Sequence, residues 1–320
     1  MGYSGIGGQA VIEGVMMKNT DYYAVAVRKP DGEIEVKKEK CKDLSKRAKF
    51  FKLPFVRGVV NFIDSLVLGM STLTYSSSFY DEEEDDKDKK NKKVKTPEKK
   101  AKSDNAFNVL TILIAVILVV VIFMAAPYCI SHLLLKKVIE SKLLLTFLEG
   151  IIRLVFFIIY VVLISLMKDI RRVYMYHGAE HKCINCIEHG KELTVENVRN
   201  SSKEHKRCGT SFLLIIMCIS IVVMMLVQFD SRILNFAARI ILIPVIAGIS
   251  YEFLRLAGRY DNPVLNFLSK PGLLMQRLTT KEPDDDMIEV GIASVEAVFD
   301  WKAYLKENFG ENKDDVQTNP

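Results

Sequence analysis

Charge is missing from two long stretches of this chain. No Asp, Glu, Lys or Arg occurs in the 31 residues between Asp104 and Lys136, or in the 22 between Arg207 and Asp230. An uncharged run of about 18 or more apolar residues reads as a membrane-crossing helix. A simple water-soluble globule is therefore excluded, although the mean hydropathy is only +0.15. That average blends an apolar half with a very polar one, and the apolar half excludes disorder of the whole chain. Other signals are scarce too. The net charge is +5 over 320 residues, too little to argue for a nucleic-acid partner. Six irregularly spaced cysteines in so long a chain make no secreted disulfide framework. Met1 to Ala10 has neither the basic start nor the apolar stretch of a signal peptide, so none is expected.

What is present falls into four candidate spans: 109–135, 143–167, 210–228 and 233–251. The second carries Glu149 and Arg153, spaced to pair on one helix face, either as a structural ion pair or in a polar cavity. The fourth carries Pro244 and Arg239, the latter placed to snorkel outward. So few intramembrane charges disfavour an ion or proton pathway. Lys92, Lys93, Lys95, Lys99, Lys100 and Lys102 precede the first span, and Lys168, Arg171 and Arg172 follow the second. Lys206 and Arg207 precede the third, and Arg255 and Arg259 follow the fourth. The intervening hairpins hold only Lys136, Lys137, Lys142 and Arg232. By the positive-inside rule both termini and the 168–209 loop are cytoplasmic, in a multi-pass cell-membrane protein.

The expected fold is a membrane α-helical bundle of four spanning helices, with a small N-terminal β-containing cytoplasmic region and a C-terminal cytoplasmic helix. The β-rich region is 1–40, with strands at 9–18, 22–29 and 33–38 and a turn at Pro30-Asp31-Gly32. Gly5, Gly7 and Gly8 form a turn and not a phosphate loop, because no Lys-Ser/Thr follows. In 41–80, Phe55, Val59, Phe62, Ile63, Leu66, Val67, Met70 and Leu73 repeat at helical spacing. They predict an amphipathic helix on the membrane or on the bundle; a fifth span there would reverse the topology. Residues 81–104 form a charge-block linker expected to be disordered. Membrane hairpins at 105–167 and 210–254 flank the 168–209 loop. The C-terminal region 255–320 has apolar pieces at 265–268 and 273–278 separated by Pro271-Gly272, then a helix over 287–305 with acids at its positive end.

Chemistry concentrates between spans two and three. Residues 171–210 hold four of the five histidines and three of the six cysteines. His177-Gly178-Ala179-Glu180-His181 spells H-x-x-E-H, the inverted zincin pattern. On a helix, residues i and i+4 share a face about 6 Å apart along the axis. Two imidazoles so placed can hold one metal ion, with Glu180 on the same face as a base for water. His205 and Cys208, spaced i, i+3 before span three, are candidates to complete the site. Glu188 shares the His177 face but lies about 10 Å further along the axis, too far for the same ion on a straight helix.

Two other readings stay open. Cys183, Cys186, His205 and Cys208 have the x₂ spacings of a closed structural zinc knuckle, provided that the histidine helix ends near residue 182. Alternatively, the loop is a polar juxtamembrane helix whose histidines meet headgroups or polar core groups.

Three motifs in order carry a resemblance: GGQAVIEGVMMK at 7–18, YHGAEHKCINCIEHGKELTVENVR at 176–199 with HKRCGTSFL at 205–213, and PGLLMQRLTTKEPDDDMIEV at 271–290. With them the chain resembles the YqhQ-like family, bacterial membrane proteins of unknown function described as predicted metal-dependent enzymes. The resemblance covers most of the chain, excluding the charged linker and the tail. It implies motif positions at His177, Glu180, His181, His205, Cys208 and Gly209. Cys183 is not a position of that motif, and Ile187 stands where an aromatic is expected.

The expected function is a zinc-dependent hydrolase (or one using another divalent transition metal) at the cytoplasmic membrane face, acting on a protein or lipid substrate. His177 and His181 would bind the ion, His205 or Cys208 would complete the site, and Glu180 would act as base. The alternative is a non-catalytic membrane scaffold with a structural metal or polar cluster. The metal reading requires His177, His181 and a donor from His205 or Cys208 to converge within about 5 Å, since zinc ligands sit about 2.0–2.3 Å from the ion.

Overall fold

The computed structural model describes residues 2–41, 51, 53, 56–88, 111, 113–229, 231–260 and 262–310. The chain divides into two compact units. Unit 1 comprises Met1–Asp81, Leu163–Ile215 and Ala247–Pro320, and unit 2 comprises Glu82–Val162 and Ile216–Ile246. The strands are β1 (Gly7–Val11), β2 (Gly14–Lys18), β3 (Tyr22–Arg28) and β4 (Ile34–Lys40). The helices are α1 (Val56–Asp88), α2 (Leu113–Lys137), α3 (Lys142–Ser165), α4 (Lys168–Glu188), α5 (Val195–Arg199) and α6 (Gly209–Leu226). After them come α7 (Arg232–Ile241), α8 (Ile243–Arg259), α9 (Pro263–Thr279), α10 (Asp285–Val298) and α11 (Trp301–Phe309).

The sheet of unit 1 is an antiparallel meander in the order β1-β2-β3-β4. The run 9–18, read from sequence as one strand, is a hairpin. Val11 pairs with Gly14 across a two-residue turn in which Glu13 takes a left-handed φ of 50°. Gly14 is required there, because any Cβ would overlap the Ala26 carbonyl oxygen. Side chains alternate between faces, as the period of two demands. Val15, Met17, Ala24 and Ala26 join Tyr176, Ile184 and Ile187 of α4 and Ile288 and Val295 of α10 in one core. Val11, Met16, Val25 and Val27 form the other, against Leu68, Tyr75, Phe79 and Tyr80 of α1. The sheet is thus a middle layer between α1 and the α4/α10 pair.

Among the described residues five helices, not four, are long and apolar enough to cross a membrane: Val56–Tyr80, Leu113–Lys137, Lys142–Ser165, Gly209–Leu226 and Ala237–Gly258. The addition is α1. Its Asp64 and its Ser and Thr residues dilute the apolar signal, but the helix is continuous. Buried Thr72 and Ser76 face the sheet, where they accept from Gln9 Nε2 (3.1 Å) and the Ile12 amide (3.1 Å). Ile63, Leu66, Val67 and Met70 form an exposed apolar stripe. Nearer its start, α1 packs on α8, where Arg57 Nε donates to Glu252 at 2.6 Å and Asn61 to Tyr251 at 2.7 Å. The helix runs to Asp88, eight residues into the charge run read as a linker; 89–104 of that run lie outside the described residues.

Other local departures have physical causes. α4 is not a continuation of α3, because Met167 is extended (ψ 133°) between them. Pro271 lies inside α9 and does not divide it. The expected helix over 287–305 is two, α10 and α11, broken at Phe299, whose φ and ψ of −141° and 125° are extended. α10 starts at Asp284, whose carboxylate accepts from the Met287 amide at 3.0 Å, with Asp285 and Asp286 at the positive end of the dipole.

In unit 2, α2 relaxes into a π-turn over Val121–Ala125 just ahead of Pro127, whose missing N–H leaves a carbonyl to be re-paired. Gly150 of α3 lets Ile221 of α6 close in, with no room for a Cβ between them. Contrary to the sequence expectation, Arg239 does not snorkel; both of its Nη atoms bond Glu149, with Nη2–Oε2 at 2.9 Å.

Gly178 of α4 passes directly beneath the 280–283 segment, which is tied down by the Lys281 amide donating to the Tyr174 carbonyl at 2.8 Å. A Cβ at Gly178 would overlap the Lys281 carbonyl oxygen, whereas one at Gly209 would meet nothing. Gly178→Ala is expected to lose roughly 1–3 kcal/mol through overpacking, and Gly209→Ala to show no comparable loss. Thermal unfolding of the two variants in detergent measures the difference.

Candidate functional site

α4 carries the H-x-x-E-H residues, and its far end is fixed by Gly190. That glycine takes φ +75°, its amide bonds the Ile187 carbonyl and the Lys191 amide bonds that of Cys186, both at 3.1 Å. The helix therefore extends past residue 182. His177 and His181 project from one face with ring centroids 4.4 Å apart.

Each ring is fixed from behind by a main-chain carbonyl. Nδ1 of His177 lies 2.9 Å from the Thr279 oxygen, and Nδ1 of His181 lies 2.6 Å from the Lys203 oxygen. A carbonyl only accepts, so each Nδ1 carries a hydrogen and each Nε2 faces the other way. There they meet Cys208, whose Sγ is 3.3 Å from Nε2 of His177. Among the described residues, His177, His181 and Cys208 form a group whose ligand atoms all lie within 4.8 Å of one another. Glu180 Oε2 approaches the same two atoms, at 3.7 Å from Nε2 of His177 and 4.0 Å from Nε2 of His181.

Cys208 stands at the N-terminus of α6, where the Thr210 amide donates to its sulfur at 3.4 Å and Thr210 Oγ1 lies 3.1 Å away. Burial favours the neutral thiol, but the charges of His177 and His181 outweigh it and hold Cys208 well below the ordinary thiol range. In the same way burial opposes charge on His177, while the Cys208 sulfur beside it pushes the imidazole up to about 9. The donor set is two imidazole nitrogens and one cysteine sulfur that its neighbours bias toward thiolate, with a carboxylate adjoining.

α4 also captures the loop that delivers these groups. Lys182 Nζ donates to the carbonyls of Arg199 (2.7 Å) and Ser201 (3.0 Å). Asn185 Nδ2 donates to those of Ser202 (2.6 Å) and Glu204 (3.0 Å). His181 takes the one between, at Lys203. From the other side, buried Gln276 of α9 accepts from the His205 amide at 2.8 Å and donates to its carbonyl at 2.7 Å. The N-terminal hairpin closes the wall. Glu13 bonds Arg172 (Nη2–Oε2 2.5 Å) and Tyr176 (3.2 Å), and a Cβ on Gly8 would stand 2.9 Å from Glu180 Cγ. Glu13, Gly8, Thr210, Gln276 and Thr279 were not singled out as site residues in the sequence. The sequence offered only that all five lie within the motif stretches 7–18, 205–213 and 271–290.

The remaining candidates are placed elsewhere. His205 has its ring centroid 5.7 Å from that of His181, but its Nε2 faces Glu188 at 3.6 Å and it does not join the three-ligand group. Glu188 is committed to Ser4, at 2.9 Å from the amide and 2.6 Å from Oγ, and to Arg207. Cys183 and Cys186 are core residues beneath α10, and burial pushes both thiols up. The knuckle of Cys183, Cys186, His205 and Cys208 does not assemble, because the helix it needed to end near residue 182 continues to Glu188.

Comparison with known proteins adds family context. The family described as "Protein of unknown function (DUF1385)" matches residues 53–301. The chain is 36% identical over 305 residues to "Uncharacterized protein YqhQ" of Bacillus subtilis (strain 168), covering 94% of each chain. No solved structure matches.

The Glu188 contacts predict an acid limb of stability. Burial would raise its carboxyl, but the bonds from His205, Arg207 and Ser4 bring it from 4.5 down to about 2. Its contribution is complete above the unfolded value of 4.5 and is lost as pH falls toward 2. At 1.36 kcal/mol per unit this amounts to about 3 kcal/mol. Denaturant unfolding from neutral pH downward measures it, and Glu188→Gln is expected to flatten that limb.

Proposed function

We propose, for a chain that belongs to the DUF1385 family, that it is a metal-dependent hydrolase held at the cytoplasmic face of the cell membrane. The observation that carries this reading is the orientation of His177 and His181. Both rings spend Nδ1 on a carbonyl and present Nε2 toward the Cys208 sulfur. Carbonyl-backed imidazoles are the usual support of a metal site. Two nitrogens and a thiolate suit zinc best, with other divalent transition metals as competitors.

His177, His181 and Cys208 would hold the ion, and three protein ligands leave a position for water or substrate. Such an ion supplies Lewis acidity, polarising a carbonyl or phosphoryl oxygen and acidifying water. Glu180 is within reach of that space and would take the proton from the attacking water, then return it to the leaving group. Gly8 sets how closely β1 can cover Glu180. Gln276, Lys182 and Asn185 keep the 199–208 segment in register so that Cys208 reaches the histidines.

The membrane location is supported by the five apolar helices, and the cytoplasmic side by the Lys and Arg flanking the helix ends. We read α1 as lying along the membrane surface. Residues 68–80 already cover the sheet, and the 56–67 remainder is about 18 Å long, short of the ~30 Å bilayer core. A peptide or a lipid ester near the headgroups is the substrate class that fits.

A closed structural metal site is the second reading, favoured by the burial of His181 (1% exposed) and Cys208 (4%). The two readings part at Glu180. In the enzyme, Glu180→Gln keeps one metal per chain and wild-type thermal stability but loses activity, read as failure to complement a deletion strain. In the scaffold, the same variant complements fully. Metal analysis of His177→Ala and Cys208→Ala tests the site itself, and undiminished metal in both would refute it.

A further inference from the structure

Glu149 is the deeply buried charge of unit 2, at 2% exposure. It answers to two guanidiniums. Arg239 of α7 bonds both of its oxygens, and Arg153 Nη2, one turn along α3, donates to Oε1 at 3.1 Å. One carboxylate between two arginines leaves a surplus positive charge among helices that are otherwise apolar. An unbalanced guanidinium in such surroundings is costly unless an anion or water meets it. The donors are not exhausted either, since Arg153 Nε is buried without a hydrogen-bond partner among the described residues.

Arg239 stands at the junction of two cavities. Its guanidinium lies 5.4 Å from the Tyr128 ring, and that ring stacks on His132 with centroids 4.0 Å apart. One cavity, of about 170 Å³, is lined by Arg239, His132, Lys136 and Lys142, and among the described residues no Asp or Glu lines it. The other, of about 230 Å³, shares Tyr128, Asn235 and Arg239 with the first and is otherwise lined by Val120, Met124, Ala125 and Cys129. A cationic chamber thus adjoins an apolar one, with an arginine in both walls. The first has room for five or six water-sized groups, at roughly 30 Å³ each, enough for one phosphate and its linking atoms.

We propose that unit 2 binds the phosphate headgroup of an anionic phospholipid. The phosphate lies among Arg239, Lys136 and Lys142, and the start of an acyl chain lies along Val120 and Met124. Three cations from three helices line the same cavity, and we assign them to a phosphate, whose oxygens can be met from several directions. Glu149 orients Arg239 and tempers its charge, so that the site discriminates by net headgroup charge. The apolar chamber and the exposed Val116, Ile117 and Val119 of α2 favour a lipid over a soluble anion. This site is independent of the His177/His181/Cys208 reading, and either can fail without the other.

The test uses the full chain in detergent, titrated with dioleoyl phosphatidylglycerol or dioleoyl phosphatidylcholine and read by native mass spectrometry. One phosphatidylglycerol is expected per chain, bound roughly tenfold or more tighter than the zwitterionic lipid. Lys136→Gln/Lys142→Gln, which leaves the Glu149 cluster intact, is expected to lose that preference. Arg239→Gln should lose it too, with circular dichroism checking that the variant folds. Equal binding of the two lipids, or an undiminished preference in the double lysine variant, would overturn the proposal. Displacement of phosphatidylglycerol by millimolar inorganic phosphate would also overturn it, by assigning the site to a free anion.

Discussion

Two hydrogen bonds from imidazole Nδ1 atoms to main-chain carbonyls govern the candidate site. Without them His177 and His181 could rotate, exchange tautomers, or turn Nε2 toward other partners. With them, both lone pairs point at Cys208 and the Glu180 carboxylate. Much of unit 1 serves those two carbonyls. The Thr279 oxygen is presented by the end of α9, and the segment after it crosses α4 at Gly178, where only a glycine fits. The Lys203 oxygen belongs to a loop whose neighbouring carbonyls are captured by Lys182 and Asn185. Gln276 then grips His205 on both sides of its peptide unit, which sets where Cys208 emerges at the start of α6.

How much of this was legible in the sequence follows from how local each cause is. The H-x-x-E-H spacing is a property of one helix, so the shared face of His177, Glu180 and His181 could be read directly. The four uncharged or nearly uncharged helices were readable for the same reason. The choice between Cys208 and His205 was not, because Gln276, 71 residues away, holds the His205 backbone, and Glu188 takes its ring. Nor were the carbonyl supports, since a main-chain oxygen has no letter of its own. Cys183 and Cys186 have metal-like spacing, but their helix runs on to Glu188 and turns them into the core. The hairpin at Glu13 was hidden by an unbroken β-prone run. Only the left-handed backbone at Glu13 and the close approach at Gly14 reveal it. Arg239 read as a snorkelling side chain because Glu149, its partner, sits 90 residues earlier in the chain.

The polar and apolar portions of the chain obey different rules. In unit 1, stability comes from a sheet covered on both faces, with exposed charges paired at the rim. In unit 2, the helices show large outward apolar faces and bury a compact ionic cluster at Glu149. Within its spanning helices, Glu149, Arg153 and Arg239 are partners of one another. The family match covers residues 53–301, so it includes α1, the helices through α10 and all three proposed ligands, whereas the sheet precedes it. Gly8 and Glu13 nevertheless tie that sheet to the α4 site.

The central claim is that His177, His181 and Cys208 bind one divalent metal ion together. Cobalt substitution tests it most directly, because cobalt reports both geometry and sulfur ligation. The account predicts intense tetrahedral visible bands together with a sulfur-to-metal charge-transfer band in the wild-type protein, and loss of the charge-transfer band alone in Cys208→Ser. A pale octahedral spectrum without sulfur charge transfer in the wild type, or one left unchanged in Cys208→Ser, would contradict it.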